Sequence, residues 1–338
     1  MKFLICGLGS IGQRHYRNLL SLGHSDIIVF RSGKGSRSFV DKFVSEFNPK
    51  IYNNVKTALS QKPDVVFITN PTYQHIPIAL LAAKAGCHLF IEKPISHNIK
   101  NIKELLSEVN KRKLISYIAY NFRFHPLLIE IKKWLGNQKQ FGKPISSHAC
   151  LGERVTDWHS WEDYRKSYSC QKKMGGGVIL TQSHEIDFLA WLLGPIVSVN
   201  AIGGNLGGLG INVEDVAKIL LKFKSGVVGS VDLDYLKRPP KRNLEIVTTK
   251  GRILWDYYDK KLEFIPLDPA LKKTVVFESE KFERNNMYLD ELKYFLKCIK
   301  DKIDSMNSLK DGAEIFRIIL GAKKSLKSRG ILINFVVD

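Results

Sequence analysis

Short apolar runs alternate with amphipathic stretches through the first third of the chain. Residues 2–6 form a short run, apolar after Lys2, that ends in a glycine-rich turn, after which 13–22 carry apolar residues at helical spacing. An apolar run at 26–30 follows, then a helix within 40–60 with Ile51 and Tyr52 as a short strand. The run at 63–71 suits a strand buried on both faces, and 76–85 is helical until Gly86 ends it. A strand at 87–91, an amphipathic helix at 98–112 and a strand at 114–120 complete the series. Strands alternating with helices predict a parallel, doubly wound sheet, an α/β domain over residues 1–120.

After Tyr120 the rhythm changes. A helix at 127–135 leads into strands at 145–153, 197–202, 216–223, 227–235, 244–248, 252–255, 261–265 and 274–277. Many consecutive strands predict a largely antiparallel sheet. Helices at 287–300 and 312–328 and a last strand at 331–337 close the chain. The expectation is an α+β domain over 121–338, with helices on one face of an open sheet and an apolar other face that serves as an interface.

Composition narrows the classes. The 338 residues are enough for two domains, and a hydrophobic content of 44% can fill real cores. Five cysteines (Cys6, Cys87, Cys150, Cys170, Cys298) lie far apart in no CxxC pair, which reads as reduced thiols and no zinc site. Glycines interrupt the early apolar run and no apolar run reaches the length of a membrane span, so a soluble, cytoplasmic protein with no membrane partner is expected. The net charge of +19 draws anions. The basic residues are dispersed and no zinc finger, basic zipper or RNP motif accompanies them, which argues against nucleic acid. A phosphate-bearing cofactor and an anionic substrate account for part of the charge.

Candidate chemistry begins at the first turn. Gly7-Leu8-Gly9-Ser10-Ile11-Gly12 follows a strand and opens a helix, the context in which GxGxxG binds a dinucleotide. The first glycine permits the tight turn, the second lets a pyrophosphate approach the backbone, and the third lets helix and strand pack. His15 and Arg17 fall on that helix as surface or packing residues. At the end of the second strand, where NAD-preferring sites carry an acidic residue, stand Arg31 and Ser32, suited to a 2′-phosphate. NADP is therefore expected, with NAD the alternative. Asn70, Pro71 and His75 lie at the carboxyl end of the next long strand. Glu92-Lys93-Pro94 closes another, so Lys93 would project toward a bound cofactor and substrate; the plain alternative is an exposed Lys-Pro turn. Farther on, Gly175-Gly176-Gly177 allows close backbone approach and leads to a helix carrying His184 and Asp187, after a segment with Trp158, His159, Tyr164 and Arg165.

These residues, with Asn121-Phe122-Arg123-Phe124, give the whole chain a resemblance to the family of glucose-fructose oxidoreductase and inositol dehydrogenase (Gfo/Idh/MocA). The resemblance implies a Rossmann domain, an open-faced α+β domain, NAD or NADP, homodimers or homotetramers through the open sheet, and redox chemistry at a sugar or cyclitol carbon. It implies Lys93 and His184 as catalytic residues. Gly7, Gly9, Ser10, Ile11, Gly12, Arg31, Ser32, Asn70, Pro71, His75, Glu92, Lys93 and Asn121 are assigned to the cofactor. Arg123, Trp158, His159, Tyr164, Arg165, Thr181 and His184 are assigned to the substrate. One departure stands out: many members carry an aspartate four residues before the histidine, where this chain has Leu180. The segment 157–165 resembles members from surface-polysaccharide and nucleotide-sugar pathways. The expected activity is a sugar dehydrogenase or reductase acting on a nucleotide-linked or acidic sugar; a cofactor-sensing binding protein and a glycosidase using transient oxidation are the alternatives.

Overall fold

Runs of consecutive apolar residues too short for a helix build the first sheet. β1 (Phe3–Cys6), β2 (Ile27–Phe30) and β4 (Val65–Ile68) are buried at every position, while β3 (Lys50–Tyr52) is a partly exposed edge strand. With β5 (His88–Ile91) and β6 (Ser116–Ile118) they form six parallel strands in the order β3-β2-β1-β4-β5-β6. Between them run α1 (Ser10–Ser21), α2 (Arg37–Phe47), α3 (Val55–Leu59), α4 (His75–Lys84) and α5 (Ile102–Lys111). The strand order reverses between β1 and β4, so their carboxyl ends open the crevice where such sheets take ligands. The computed structural model describes residues 1–33, 37–158 and 162–336.

The second sheet is built from alternating sequences. α6 (Pro126–Gly136) and α7 (Gln138–Phe141) precede β7 (Pro144–Gly152), and α8 (Val178–Thr181) and α9 (His184–Leu193) precede β8 (Ile196–Gly204). Then come β9 (Val216–Phe223), β10 (Val228–Asp234), β11 (Lys241–Thr248), β12 (Gly251–Asp256), β13 (Lys261–Pro266) and β14 (Thr274–Phe277). After α10 (Arg284–Asp301) and α11 (Leu309–Lys327), β15 (Ile333–Asn334) adds the last edge. The order is β14-β13-β12-β11-β7-β10-β9-β8-β15, antiparallel except where β10 lies parallel to β7. One face buries Ile219, Val231, Ala149, Leu244, Ile253 and Leu262. The other is not the apolar surface that was expected. Lys218, Leu220, Lys222 and Arg252 are exposed on it, and ion pairs join Lys218 to Asp232, Arg252 to Glu245 and Lys261 to Glu263. These charges are interspersed with exposed Ile202, Leu220 and Val228, so the face mixes charged and apolar side chains.

Two units result, Met1–Tyr120 with Tyr288–Glu314, and Asn121–Met287 with Ile315–Asp338. The return of 288–314 to the first unit departs from a simple division at residue 120, and packing explains it. Phe295 sits 5.5–6.5 Å from the rings of Phe67, Phe90 and Tyr117. The exposed edge of β6 is satisfied by residues 305–309: the Ser305 hydroxyl donates to Ser116 O (2.6 Å) and Ile118 N–H donates to Asn307 O (2.8 Å). Edge strands left open are aggregation templates, and this segment covers one. Among the described residues no helix is long and apolar enough to cross a membrane.

Candidate active site

In the first unit, the glycine turn is shaped by two different demands. A Cβ at Gly12 would lie 2.0 Å from Gly7 O, and one at Gly7 (φ +106°) would lie 3.1 Å from the Thr69 carbonyl. Both glycines are therefore required by the packing of turn, helix and β4. The hydroxyl of Thr69 ties the same parts together, 3.0 and 2.9 Å from the carbonyls of Cys6 and Gly7. Gly9 is different, because a Cβ there would meet nothing within 4 Å. Nothing in the protein's own packing requires glycine at that position, so the requirement fits a ligand that must reach the backbone. Gly9 also caps α1, whose first turn contains no acidic residue and no capping side chain. A helix start with free amide donors and no competing carboxylate is a site for phosphate, and a dinucleotide fits it.

The neighbouring strand ends carry the other assigned residues of this unit. At the end of β2, Arg31 is half-buried with its Nη2 lacking a hydrogen-bond partner among the described residues, and Ser32 is exposed. At the end of β4, the Asn70 side-chain oxygen is likewise buried without such a partner. His75 is buried, with Nε2 2.7 Å from Asn70 O and Nδ1 2.8 Å from Pro94 O. Burial lowers its pKa, while the two carbonyls and Glu92 oppose that shift. A neutral ring has one N–H for two acceptors, so the proton strengthens this brace. Lys93 is half-buried on the turn after β5, and its bond to Pro94 is cis. Glu92, assigned to the cofactor from sequence, holds protein groups in this structure: its Oε1 is 2.9 Å from His15 Nε2 and its Oε2 accepts the Lys93 N–H (3.3 Å). His15 is thus a buried partner of the lysine turn, a link the sequence concealed.

In the second unit, the glycine run serves internal packing. A Cβ at Gly176 would lie 2.5 Å from Ser169 O, and one at Gly177 (φ +110°) 2.4 Å from the Glu214 carboxylate. Leu180 is buried in α8. His184 opens α9, half-buried, with its ring centroid 5.0 Å from that of Phe122. The first turn is held by two buried ion pairs. Asp187 accepts from Arg123 Nη2 (2.7 Å) and Nε (3.1 Å), and Glu185 accepts from Arg242 Nε (2.8 Å). Burial raises the Glu185 pKa and Arg242 opposes the rise. The Arg242 guanidinium also lies 3.6 Å from the centroid of the Phe122 ring. Arg123, assigned to the substrate from its sequence, is therefore placed as a brace between residues 121–124 and α9. Asn121 beside it is buried, its side-chain oxygen without a hydrogen-bond partner among the described residues.

The remaining substrate assignments fall in two places. Thr181 is buried, donating to Gly177 O (2.7 Å) and hydrogen-bonded to the Tyr235 hydroxyl, whose pKa burial drives well up. Trp158 packs edge-on against Tyr235 with centroids 5.3 Å apart, and its Nε1 has no partner among the described residues. Tyr164 donates to Leu209 O (2.8 Å), and exposed Arg165 pairs with Asp163 (3.0 Å). His159 lies outside the described residues.

Comparison with known proteins gives the family. Residues 1–120 match the oxidoreductase family with NAD-binding Rossmann fold (GFO_IDH_MocA), and residues 130–254 match the GFO/IDH/MocA C-terminal domain. Myo-inositol 2-dehydrogenase of Thermotoga maritima is 26% identical, with 97% of each chain covered. Among solved structures, levoglucosan dehydrogenase in complex with NADH superposes with a TM-score of 0.87 at 19% identity, over 99% of this chain and 98% of that one. The WlbA dehydrogenase of Bordetella pertussis in complex with NADH and UDP-GlcNAcA superposes at 0.82 and 18% identity, over 100% and 99%. At these identities the superpositions speak for a shared fold.

Proposed function

Because this chain belongs to the GFO/IDH/MocA oxidoreductase family, we propose that it oxidises or reduces a secondary alcohol carbon of a nucleotide-linked or acidic sugar, with NADP ahead of NAD as its cofactor. The observation that carries the reading is Gly9, the one glycine of the fingerprint that the protein's own packing does not require. Arg31 supports NADP, since its Nη2 has no described partner and no carboxylate ends β2 to repel a 2′-phosphate. The net charge of +19 and the nucleotide-sugar ligand of the Bordetella neighbour support an anionic sugar.

The nicotinamide, when bound, accepts or donates the hydride. The proton is the protein's task. An alcohol losing hydride leaves a protonated carbonyl unless its hydroxyl proton departs in concert, so a base must reach that oxygen. His184 is assigned this role, because a neutral imidazole is available near pH 7. Lys93 as an ammonium is assigned the hydrogen bond that orients the oxygen and disperses its developing charge. The Arg123–Asp187 and Arg242–Glu185 pairs fix the first turns of α9 and so the direction of His184. Self-association through the nine-stranded sheet completes the proposal, and a monomer at micromolar concentration in sedimentation velocity would refute that part.

The test is a panel of myo-inositol, levoglucosan and UDP-N-acetylglucosaminuronic acid, each with oxidised and reduced NAD and NADP, followed by nicotinamide absorbance. Turnover of the uronic acid, with loss of one to two decades in NADPH affinity on Arg31→Ala, is the expected result, since a charge-assisted pair contributes about 1.5–3 kcal/mol. Equal affinities for the two cofactors refute the NADP assignment. Sugar binding without any redox change would favour a sensing protein.

A further inference from the structure

Two buried histidines that the mechanism does not use flank the lysine turn within the first unit. His15 lies on α1, one turn past the last glycine of the fingerprint, and is wholly buried. Its ring packs against Phe67, Phe90 and Tyr288 at centroid distances of 4.9–6.3 Å, and its Nε2 meets Glu92 2.9 Å away. Glu92 in turn accepts the Lys93 backbone N–H. A second carboxyl stands near Glu92, that of Glu291 on α10, fully buried with its pKa driven well up. On the other side, His75 at the start of α4 has Nδ1 2.8 Å from the Pro94 carbonyl and Nε2 2.7 Å from the Asn70 carbonyl at the end of β4, and the Nδ1–H tautomer donates to Pro94. Lys93 therefore lies between two residues each gripped by a buried imidazole. One grip is anchored on the helix that opens at the glycine turn, the other on the strand end that carries Asn70.

A turn held on one side can pivot about its free side; held on both, the direction of its central side chain is set. Lysine magnifies a pivot. Over a reach of ~6 Å a tilt of ~10° moves the ammonium by ~1 Å, a displacement that can cost about a hundredfold in rate. We propose that His15 and His75 are positioning residues that clamp the Glu92-Lys93-Pro94 turn and aim Lys93. The inference rests on the catalytic role proposed for Lys93.

The clamp is tested on the full chain with His15→Leu and His75→Leu, which remove the donors, and His15→Gln and His75→Gln, which restore an N–H. Amide hydrogen exchange across residues 90–96 is expected to quicken at least tenfold in the leucine variants, with β9–β11 unchanged, and to return toward the parent in the glutamine variants. Unchanged exchange in both leucine variants, or glutamine variants that behave like leucine, overturns the proposal. Should His15→Leu fail to fold, Glu92→Gln, which replaces the carboxyl group that His15 meets, takes its place with the same expected quickening. With whichever panel sugar is turned over, each leucine variant should lower kcat about a hundredfold, leave the NADPH dissociation constant within threefold, and cost nothing further in a Lys93→Ala background. Equal losses in both backgrounds would show that the histidines do not act through Lys93. Lys93→Ala at the parent rate would instead overturn the role given to Lys93 while the exchange result still decides the clamp.

Discussion

Replacing Asp187 with alanine separates a structural brace from a substrate reader. The Arg123 side chain is 7% exposed and that of Asp187 is 0%, and two hydrogen bonds of 2.7 and 3.1 Å join them. Asp187→Ala leaves a guanidinium buried without its counter-charge, which typically costs about 3–5 kcal/mol. For a domain of this size each kcal/mol lowers the melting temperature by about 2–4 °C, so a fall of roughly 6–20 °C is expected in scanning calorimetry. Removing both charges should cost much less than removing one, so Arg123→Met with Asp187→Leu is expected to recover most of the loss. Glu245→Gln is the control, because its pair with Arg252 lies on the open sheet face with side chains 36% and 52% exposed, where such pairs contribute about 0–1 kcal/mol. A melting temperature within about 2 °C of the parent for Asp187→Ala, with a raised KM as the sole defect, would refute the brace and return Arg123 to the substrate.

Other outcomes follow from single positions. Gly9→Val should fold and melt like the parent while losing cofactor binding by calorimetry, whereas Gly12→Val should fold poorly, because its Cβ would strike Gly7 O; unaltered affinity in a folded Gly9→Val protein would refute the fingerprint site. His184→Ala is expected to lower turnover by about two to four decades with cofactor affinity nearly intact, and a parent-like rate would make His184 structural. Glu291 binds its proton more tightly folded than unfolded, so the stability tied to that proton is full below the ordinary carboxyl range. It is lost as pH rises through that range toward the raised folded value. Glu291→Gln should therefore melt higher than the parent at about pH 8 and match it near pH 4; a lower melting temperature at the higher pH would contradict this.

Local sequence determined much of this protein. The uninterrupted apolar runs of β1 and β4 admit little but a buried parallel strand, and Gly7 and Gly12 mark a turn whose close packing few other residues tolerate. The strand and helix series was legible for the same reason, since period and turn chemistry act over a few residues. What a charged residue in that framework does was decided by tertiary contact. Arg123, Glu92 and His75 have the chemistry of ligand readers, yet in the structure they meet Asp187, His15 and the carbonyls of Asn70 and Pro94. Those partners lie between 5 and 77 residues away in sequence, and no local rule pairs them. The return of residues 288–314 to the first unit has the same origin: an unpaired β6 edge and the buried faces of Phe67 and Phe90 exist only once the sheet has formed. A chain can advertise a turn in six residues, but the burial that turns a histidine into a brace is a property of the whole packed core.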